Sequence, residues 1–252
     1  VSVPAPPPLS PAIAHRGAKG HAPENTLASM RKAVELGARW VELDTKLTAD
    51  NELILFHDDT LNRTTDGKGP VADATLAEIR KLDAGRWFSD SFTGEAVPTF
   101  AETMDYLVGQ GTGIIVEIKA SPGREAETAA AAVKMLVQRW AGGPSPILIS
   151  SFSEAALDVA RQIAPDIPRG YLTLKFKRDW SARMAQLGCA TLHMLDRRCT
   201  EARVNAIRQA GYRMLAFTIN DVARARTLLS WGVESIITDY PERISALRPT
   251  PY

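Results

Sequence analysis

Two histidines and three carboxylates in this sequence are spaced for proton transfer beside a bound cation. Strand side chains alternate between faces, so Trp40-Val41-Glu42-Leu43-Asp44-Thr45-Lys46 puts Glu42, Asp44 and Lys46 on one face and Val41 and Leu43 on the other. A later run repeats the pattern, with Glu117 and Lys119 opposite Val116 and Ile118. A single ion pair at a strand end, Glu117 with Lys119 or Asp44 with Lys46, would need no ligand. Three carboxylates on neighbouring strands are harder to explain that way, because close like charges raise each other's pKa. A divalent cation relieves that conflict. Glu42, Asp44 and Glu117 offer only oxygen, and no thiolate or histidine pair at zinc spacing accompanies them. The expected ion is therefore hard: Mg²⁺ first, then Ca²⁺ or Mn²⁺. His15 and His57 each follow a short apolar run and reach the same strand-end region, where an imidazole titrating near neutrality suits transfer in both directions. A lone histidine is more often structural. His21 in the first loop and His193 near the sixth strand end lack such neighbours, although His193 is placed to line the mouth.

Elements able to position these residues follow one another in a βα rhythm from residue 12 onward. The eight strand candidates are Ala12 to His15, Arg39 to Lys46, Gly113 to Lys119, Pro146 to Ser151, Arg169 to Leu174, Ala190 to Met194, Tyr212 to Thr218 and Glu234 to Thr238. Helical patterns lie between them: Leu27 to Leu36, Phe100 to Val108, Glu125 to Trp140, Glu154 to Ile163, Asp179 to Leu187, Ala202 to Gln209 and Val222 to Trp231. Glycines 37, 109, 142, 188, 211 and 232 are stop signals. Eight such units in 252 residues predict an α/β fold, a (β/α)8 TIM barrel, rather than a doubly wound sheet. Charged residues late in barrel strands then belong at the C-terminal mouth. The chain reads as one domain over 1–252, with an insertion after the second barrel strand at approximately 51–97. That insertion holds a short strand, Glu52 to Phe56, a helical pattern from Leu76 to Leu82, and the aromatic group Trp87, Phe88 and Phe92. It serves as a small satellite core, as a cap on the active site, or as both.

Composition narrows the partners. A formal charge of +1, from 30 basic and 29 acidic side chains, is too even for a nucleic-acid footprint, and no basic cluster is visible. Cys189 and Cys199 are too few for a disulfide framework and read as plain thiols. No apolar run approaches the roughly 18 residues of a membrane span. The proline-rich stretch VSVPAPPPLSPAIA lacks a leading basic region, so it reads as an extended arm rather than a secretory signal, and a cytoplasmic location is expected. Composition leaves the oligomeric state open.

Longer motifs carry a specific resemblance. HRGAKGHAPENT from His15 to Thr26, VELDTKLTADNELILFHDDTLNRTTDGKG from Val41 to Gly69 and VEIKAS from Val116 to Ser121 resemble the glycerophosphodiester phosphodiesterase family. The resemblance continues through LISSF at Leu148 to Phe152, TIN at Thr218 to Asn220 and IITDYP at Ile236 to Pro241. DAGRWFSDSFTGE, PRGYL and LGCATLH make the chain most similar to compact bacterial cytoplasmic enzymes linked to glycerol-3-phosphate uptake. The resemblance implies His15 and His57 as the acid/base pair, Glu42, Asp44 and Glu117 as metal ligands, and Arg16 and Lys119 as phosphate contacts. It places Glu24 and Asn25, the acidic and amide positions of the first loop, among the substrate-binding residues, where capping of the helix starting near Thr26 is an alternative role. The implied reaction releases sn-glycerol 3-phosphate and an alcohol from a small glycerophosphodiester, by attack of water or by attack of the substrate's own 2-hydroxyl through a cyclic intermediate that water opens.

Three departures stand out. Phe217 replaces a tryptophan common in relatives, Met194-Leu195-Asp196 does not reproduce the polar pattern expected after His193, and Glu234-Ser235 replaces aspartate and glycine. Rival readings are a Schiff-base aldolase using Lys119, disfavoured because nearby carboxylates keep the amine protonated, and a non-catalytic phosphate-ligand-binding module. A phospholipid or lysophospholipid phosphodiesterase on the same barrel is nearer, and Trp87 and Phe88 would then offer an apolar membrane-facing loop.

Overall fold

The computed structural model describes residues 4–140 and 142–247. Val1 to Val3 of the proline-rich arm and residues 248–252 of the expected domain lie outside the described residues. In chain order the elements are β1 (Ala12–His15), α1 (Leu27–Glu35), β2 (Trp40–Leu47), β3 (Leu53–Leu55), α2 (Leu76–Ile79), α3 (Phe100–Gly109), β4 (Gly113–Ile118) and α4 (Glu125–Arg139). There follow β5 (Ile147–Ser151), α5 (Glu154–Ile163), β6 (Arg169–Thr173), α6 (Trp180–Leu187), β7 (Thr191–Leu195), α7 (Glu201–Gln209), β8 (Arg213–Phe217), α8 (Val222–Trp231), β9 (Ser235–Thr238) and α9 (Pro241–Ser245). Every strand but β3 joins one parallel sheet in the order β1-β2-β4-β5-β6-β7-β8-β9, and β9 returns to β1 with Ala12 opposite Ile236. The result is the closed eight-stranded barrel. β3 lies antiparallel on the extended end of β2, Thr45 facing Leu55.

Alternation along the strands divides the core. Outward residues such as Val41, Leu43, Ile114, Val116 and Ile149 are buried beneath the helices against Met30, Ala33, Met104, Leu107, Val133 and Leu136. Inward residues Ile13, Trp40, Ile115, Leu148, Leu215 and Ile237 fill the barrel interior. Burial on both faces is what a parallel sheet requires of its sequence. The arm tucks against the opposite, N-terminal end of the barrel: Arg213 donates to the carbonyls of Pro6 and Pro7 at 2.6 and 3.1 Å, and Leu9 packs on the inner cluster.

The expected strands and barrel helices lie within about two residues of their observed ends. Thr26 and Thr99 cap α1 and α3, the latter through a capping box with Glu102. Gly188 and Gly232 end α6 and α8 in the left-handed region, whereas Gly109 lies inside α3. In the insertion, the helix expected to reach Leu82 stops at Ile79, because the Lys81 and Leu82 amides bond three residues back, to Glu78 and Ile79, and tighten the chain into turns. The satellite core consists of Ile54, Phe56, Leu61, Val71, Ile79, Ala84 and Val97. Trp87, Phe88 and Phe92 form edge-to-face contacts outside it. Short 3-10 turns at Val71–Asp73, Asp90–Phe92 and Asp196–Arg198, and the closing helix α9, had no clear periodic signal. No helix among the described residues is long and apolar enough to cross a membrane.

Candidate active site

A cleft of about 690 Å³ opens at the C-terminal ends of the barrel strands. His15, Arg16, Glu42, His57, Glu117 and Lys119 line one side of it, and Phe152, Leu172, Leu195 and Phe217 supply an apolar wall. Glu42 and Asp44 arrive on the inner face of β2 and Glu117 on the inner face of β4, the register setting Asp44 beside Glu117. Potential ligand oxygens of all three lie within 4.8 Å of one another, and all three side chains are buried.

The first loop starts with a left-handed turn. Arg16 has φ 52° and Asn25 φ 55°, a conformation costing a residue with a Cβ on the order of 1 kcal/mol. The Arg16 amide donates to Glu42 Oε2 at 3.0 Å, and its carbonyl accepts from the Asn25 amide at 3.1 Å and Ser29 Oγ at 2.9 Å. Gly17 completes the turn at φ 81°, where a Cβ would collide with Ser29 Oγ at 2.4 Å. These contacts swing the Arg16 guanidinium inward, so that Nη1 donates to Glu24 Oε1 at 2.6 Å while Nε lies 3.1 Å from Asp44 Oδ2 without hydrogen-bond geometry. Asn25 Nδ2 donates to the same Asp44 oxygen at 2.8 Å, and the Asp44 amide donates back to Asn25 Oδ1 at 3.2 Å. Thr26 caps α1, so Glu24 and Asn25 are free of the capping role and face the charged cluster instead.

Each histidine has a carboxylate on Nδ1. His15 Nδ1 lies 2.6 Å from Asp239 Oδ1 at the end of β9, and Asn220 Nδ2 donates to the other Asp239 oxygen at 2.8 Å. His57 Nδ1 lies 2.6 Å from Asp58 Oδ1. Arg63 binds Asp58 through Nε at 2.6 Å and Glu24 through Nη1 at 2.9 Å, tying the insertion to the first loop. With Nδ1 occupied, Nε2 of each ring is the atom left for proton transfer. Sequence reasoning did not single out Asp239, Asn220, Asp58 or Arg63. Asp58 had a local signal in its adjacency to His57, whereas the other three meet their partners only through barrel closure or the fold of the insertion.

Electrostatics follow from burial and proximity. Burial, then the charges of Asp44 and Glu117, push Glu42 well above the usual carboxylate range. Burial and Asp44 likewise raise Glu117 to about 7, despite Lys119 Nζ at 2.9 Å. Asp44 goes the other way: burial opposes its ionisation, but Arg16, His57 and Lys119 outweigh it. Burial also disfavours the Glu24 charge, yet Arg63 and Arg16 hold that carboxyl down at about 2. Both histidines fall below 6.5, burial prevailing over Asp239 for His15 and over Asp44 for His57. Lys119 keeps its charge and lies 4.8 Å over the Phe152 ring. Glu117 and Lys119 thus form the anticipated ion pair, whereas fully buried Lys46 bonds Asp59 at 2.7 Å rather than Asp44.

A hard cation fits the trio. Its donors are oxygens, two of the three strain against ionisation without a positive charge, and buried Asp44 Oδ1 has no hydrogen-bond partner among the described residues. His21 bonds Glu242 at 3.1 Å, outside the cleft lining, while His193 lies in the cleft wall with Nε2 2.9 Å from Thr191 Oγ1. Of the insertion, among the described residues, His57 alone lines this cleft.

Comparison with known proteins is consistent across sequence and structure. Residues 15–243 match the glycerophosphoryl diester phosphodiesterase family. A glycerophosphodiester phosphodiesterase of Bacillus subtilis is 34% identical over 246 residues, covering 91% of this chain and 83% of that protein. A solved phosphodiesterase of Oleispira antarctica, in complex with the product sn-glycerol-3-phosphate, is 42% identical with a TM-score of 0.92, covering 94% of this chain and 96% of that one. A glycerophosphodiester phosphodiesterase from Agrobacterium tumefaciens is 31% identical with a TM-score of 0.78, covering 95% of this chain and 100% of that one.

Proposed function

Given that the chain belongs to the glycerophosphoryl diester phosphodiesterase family, we propose that it hydrolyses glycerophosphodiesters to sn-glycerol 3-phosphate and an alcohol by paired histidine catalysis at a divalent-metal site. The observation that carries this reading is the convergence in one cleft of His15, His57, three buried carboxylates and the cations Arg16 and Lys119. Glu42, Asp44 and Glu117 would hold the ion, Mg²⁺ first by donor hardness, and it would supply Lewis-acid neutralisation of the phosphoryl oxygens.

Arg16 and Lys119 orient the diester and offset the charge that grows on its oxygens. Glu24 and Asn25 act one step back, holding Arg16 and Asp44 in place. One imidazole Nε2 takes the proton of the attacking oxygen as it bonds phosphorus: water gives glycerol 3-phosphate directly, whereas the substrate's 2-hydroxyl gives a cyclic phosphodiester that a water must open in a second step with the histidine roles exchanged. On either route the P–O bond to the departing alcohol breaks, and the other imidazole protonates the alkoxide. Burial lowers both histidine pKa values and so favours the neutral ring that serves as base, while the ring that serves as acid must carry a proton. Barrel and insertion function as one unit, because His57 enters the cleft from the insertion.

The membrane-facing alternative finds little support: exposed large apolar side chains among the described residues are Trp87, Val137 and Leu174, one from each of three segments, and Phe88 beside Trp87 is half-buried. The test is release of glycerol 3-phosphate from glycerophosphocholine and glycerophosphoethanolamine, repeated with chelator and after Mg²⁺, Ca²⁺ or Mn²⁺ add-back. No release with any ion sinks the reading; turnover indifferent to chelation sinks the metal assignment.

A further inference from the structure

Ser150 on β5 and His193 on β7 are 1% and 0% exposed, and both line the cleft. Buried polar atoms nearly always pair, since leaving one unsatisfied costs about 1–3 kcal/mol. Yet Ser150 Oγ and His193 Nδ1 have no hydrogen-bond partner among the described residues. Between their strands runs β6, whose Gly170 is register partner to Ser150 on one side and to Thr191 on the other. A Cβ on Gly170 would lie 2.5 Å from His193 Nε2 and 2.6 Å from Thr191 Oγ1. The missing side chain is therefore what admits the imidazole over β6, on the side towards Ser150. Two unpaired polar atoms are thus carried by residues that line one cleft, with no side chain of β6 at the level of Gly170 between their strands.

Their chemistry selects a partner. Burial pushes the His193 pKa down to about 3, so the ring is neutral. Nε2 is held by the Thr191 hydroxyl, which can give or take the hydrogen, and Nδ1 then takes the complementary part. Ser150 also donates and accepts. Neither carries charge, so a phosphate belongs with Arg16 and Lys119, whereas a group that both donates and accepts suits this pair. Leu172 and Phe217 beside them offer contact for carbon rather than for charge.

We propose that Ser150 and His193 bind an alcohol hydroxyl of the substrate's glycerol moiety and so set the preference for glyceryl over deoxygenated phosphoesters. This assignment rests on the proposed phosphodiesterase reading and adds residues that select the substrate rather than transform it.

The experiment measures binding of sn-glycerol 3-phosphate and of propyl phosphate, which lacks both hydroxyls, to wild type, Ser150→Ala, His193→Phe and His193→Gln. Hydrolysis of glycerophosphocholine and propylphosphocholine is measured in parallel. Wild type should favour the glyceryl ligand about tenfold or more, the worth of one well-made buried hydrogen bond. Ser150→Ala and His193→Phe should each erase most of that preference, and His193→Gln should restore part of it. Equal weakening of both ligands would assign a purely structural role, and an unchanged preference would leave these atoms to water; either result overturns the proposal. Ser150→Ala removes a single oxygen and keeps the test readable if His193→Phe does not fold. Wild type that prefers glycerol 3-phosphate without hydrolysing any diester would break the phosphodiesterase reading, and the hydroxyl site would still stand if Ser150→Ala and His193→Phe erased that preference. Wild type that hydrolyses without preference would break the hydroxyl site alone.

Discussion

The two histidines occupy similar dyads built in opposite ways. His15 and Asp239 meet at 2.6 Å across the seam where β1 pairs with β9, and Asn220 holds the aspartate from behind. His57 and Asp58 are chain neighbours on the insertion, and Arg63 fastens them to the barrel through Glu24. The first dyad is set by the sheet's hydrogen bonds, the second by one partly exposed arginine. Equal geometry therefore conceals unequal rigidity, and the inner station should tolerate less change than the outer one.

Replacing the rings themselves gives the largest effect. His15→Ala and His57→Ala should each lower kcat by about 10²–10⁴, measured as glycerol 3-phosphate release under saturating metal. If one of them retains wild-type turnover, the paired mechanism fails. Next come the orienting carboxylates: Asp239→Asn should cost about 100-fold and Asp58→Asn about tenfold. The reverse ranking would contradict the contrast between seam and insertion. Arg63→Ala should reduce kcat/KM by roughly tenfold, with faster amide exchange confined to the insertion. Exchange rising in the barrel strands as well would show that the clamp stabilises more than one region.

Acid should sharpen the same comparison. Burial places both folded histidine pKa values below 6.5, so their neutral forms persist as pH falls through 6.5. The Asp239 hydrogen bond is the largest influence raising His15, whereas the Asp58 bond is the smallest of those raising His57. Losing Asp239 should therefore shift an acid limb of kcat/KM further downward than losing Asp58, as a pH–rate profile of each variant would record. Smallest of all, Trp87→Ser should lower stability by about 1 kcal/mol or less and leave kcat unaltered, because Trp87 bonds Ala84 and touches Phe88 outside the cleft lining.

Much of the barrel was legible because parallel strands must be apolar on both faces. The places where that rule breaks, Glu42, Asp44 and Glu117, pointed to the mouth. Period-two alternation was enough to put these carboxylates on the inner side of β2 and β4. Pairings made by closure had no such signal: nothing local joins His15 to Asp239 or Glu24 to Arg63. Lys46 shows the limit of periodicity, since it keeps the face expected of it but lies past the barrel rim, where β3 has joined β2 and Asp59 is nearer than Asp44. The proline-rich arm was read as extended, and its docking under the barrel became visible only through Arg213, whose partners are backbone carbonyls that carry no side-chain signature. His193 was passed over for want of charged neighbours, and its interest lies in that very lack.

The seam between β1 and β9 also ties the first ring to the completed barrel. His15 lies near the start of the barrel and Asp239 just past its last strand, so the first ring meets its carboxylate only once β9 has closed on β1, and distant parts of the chain share one hydrogen bond.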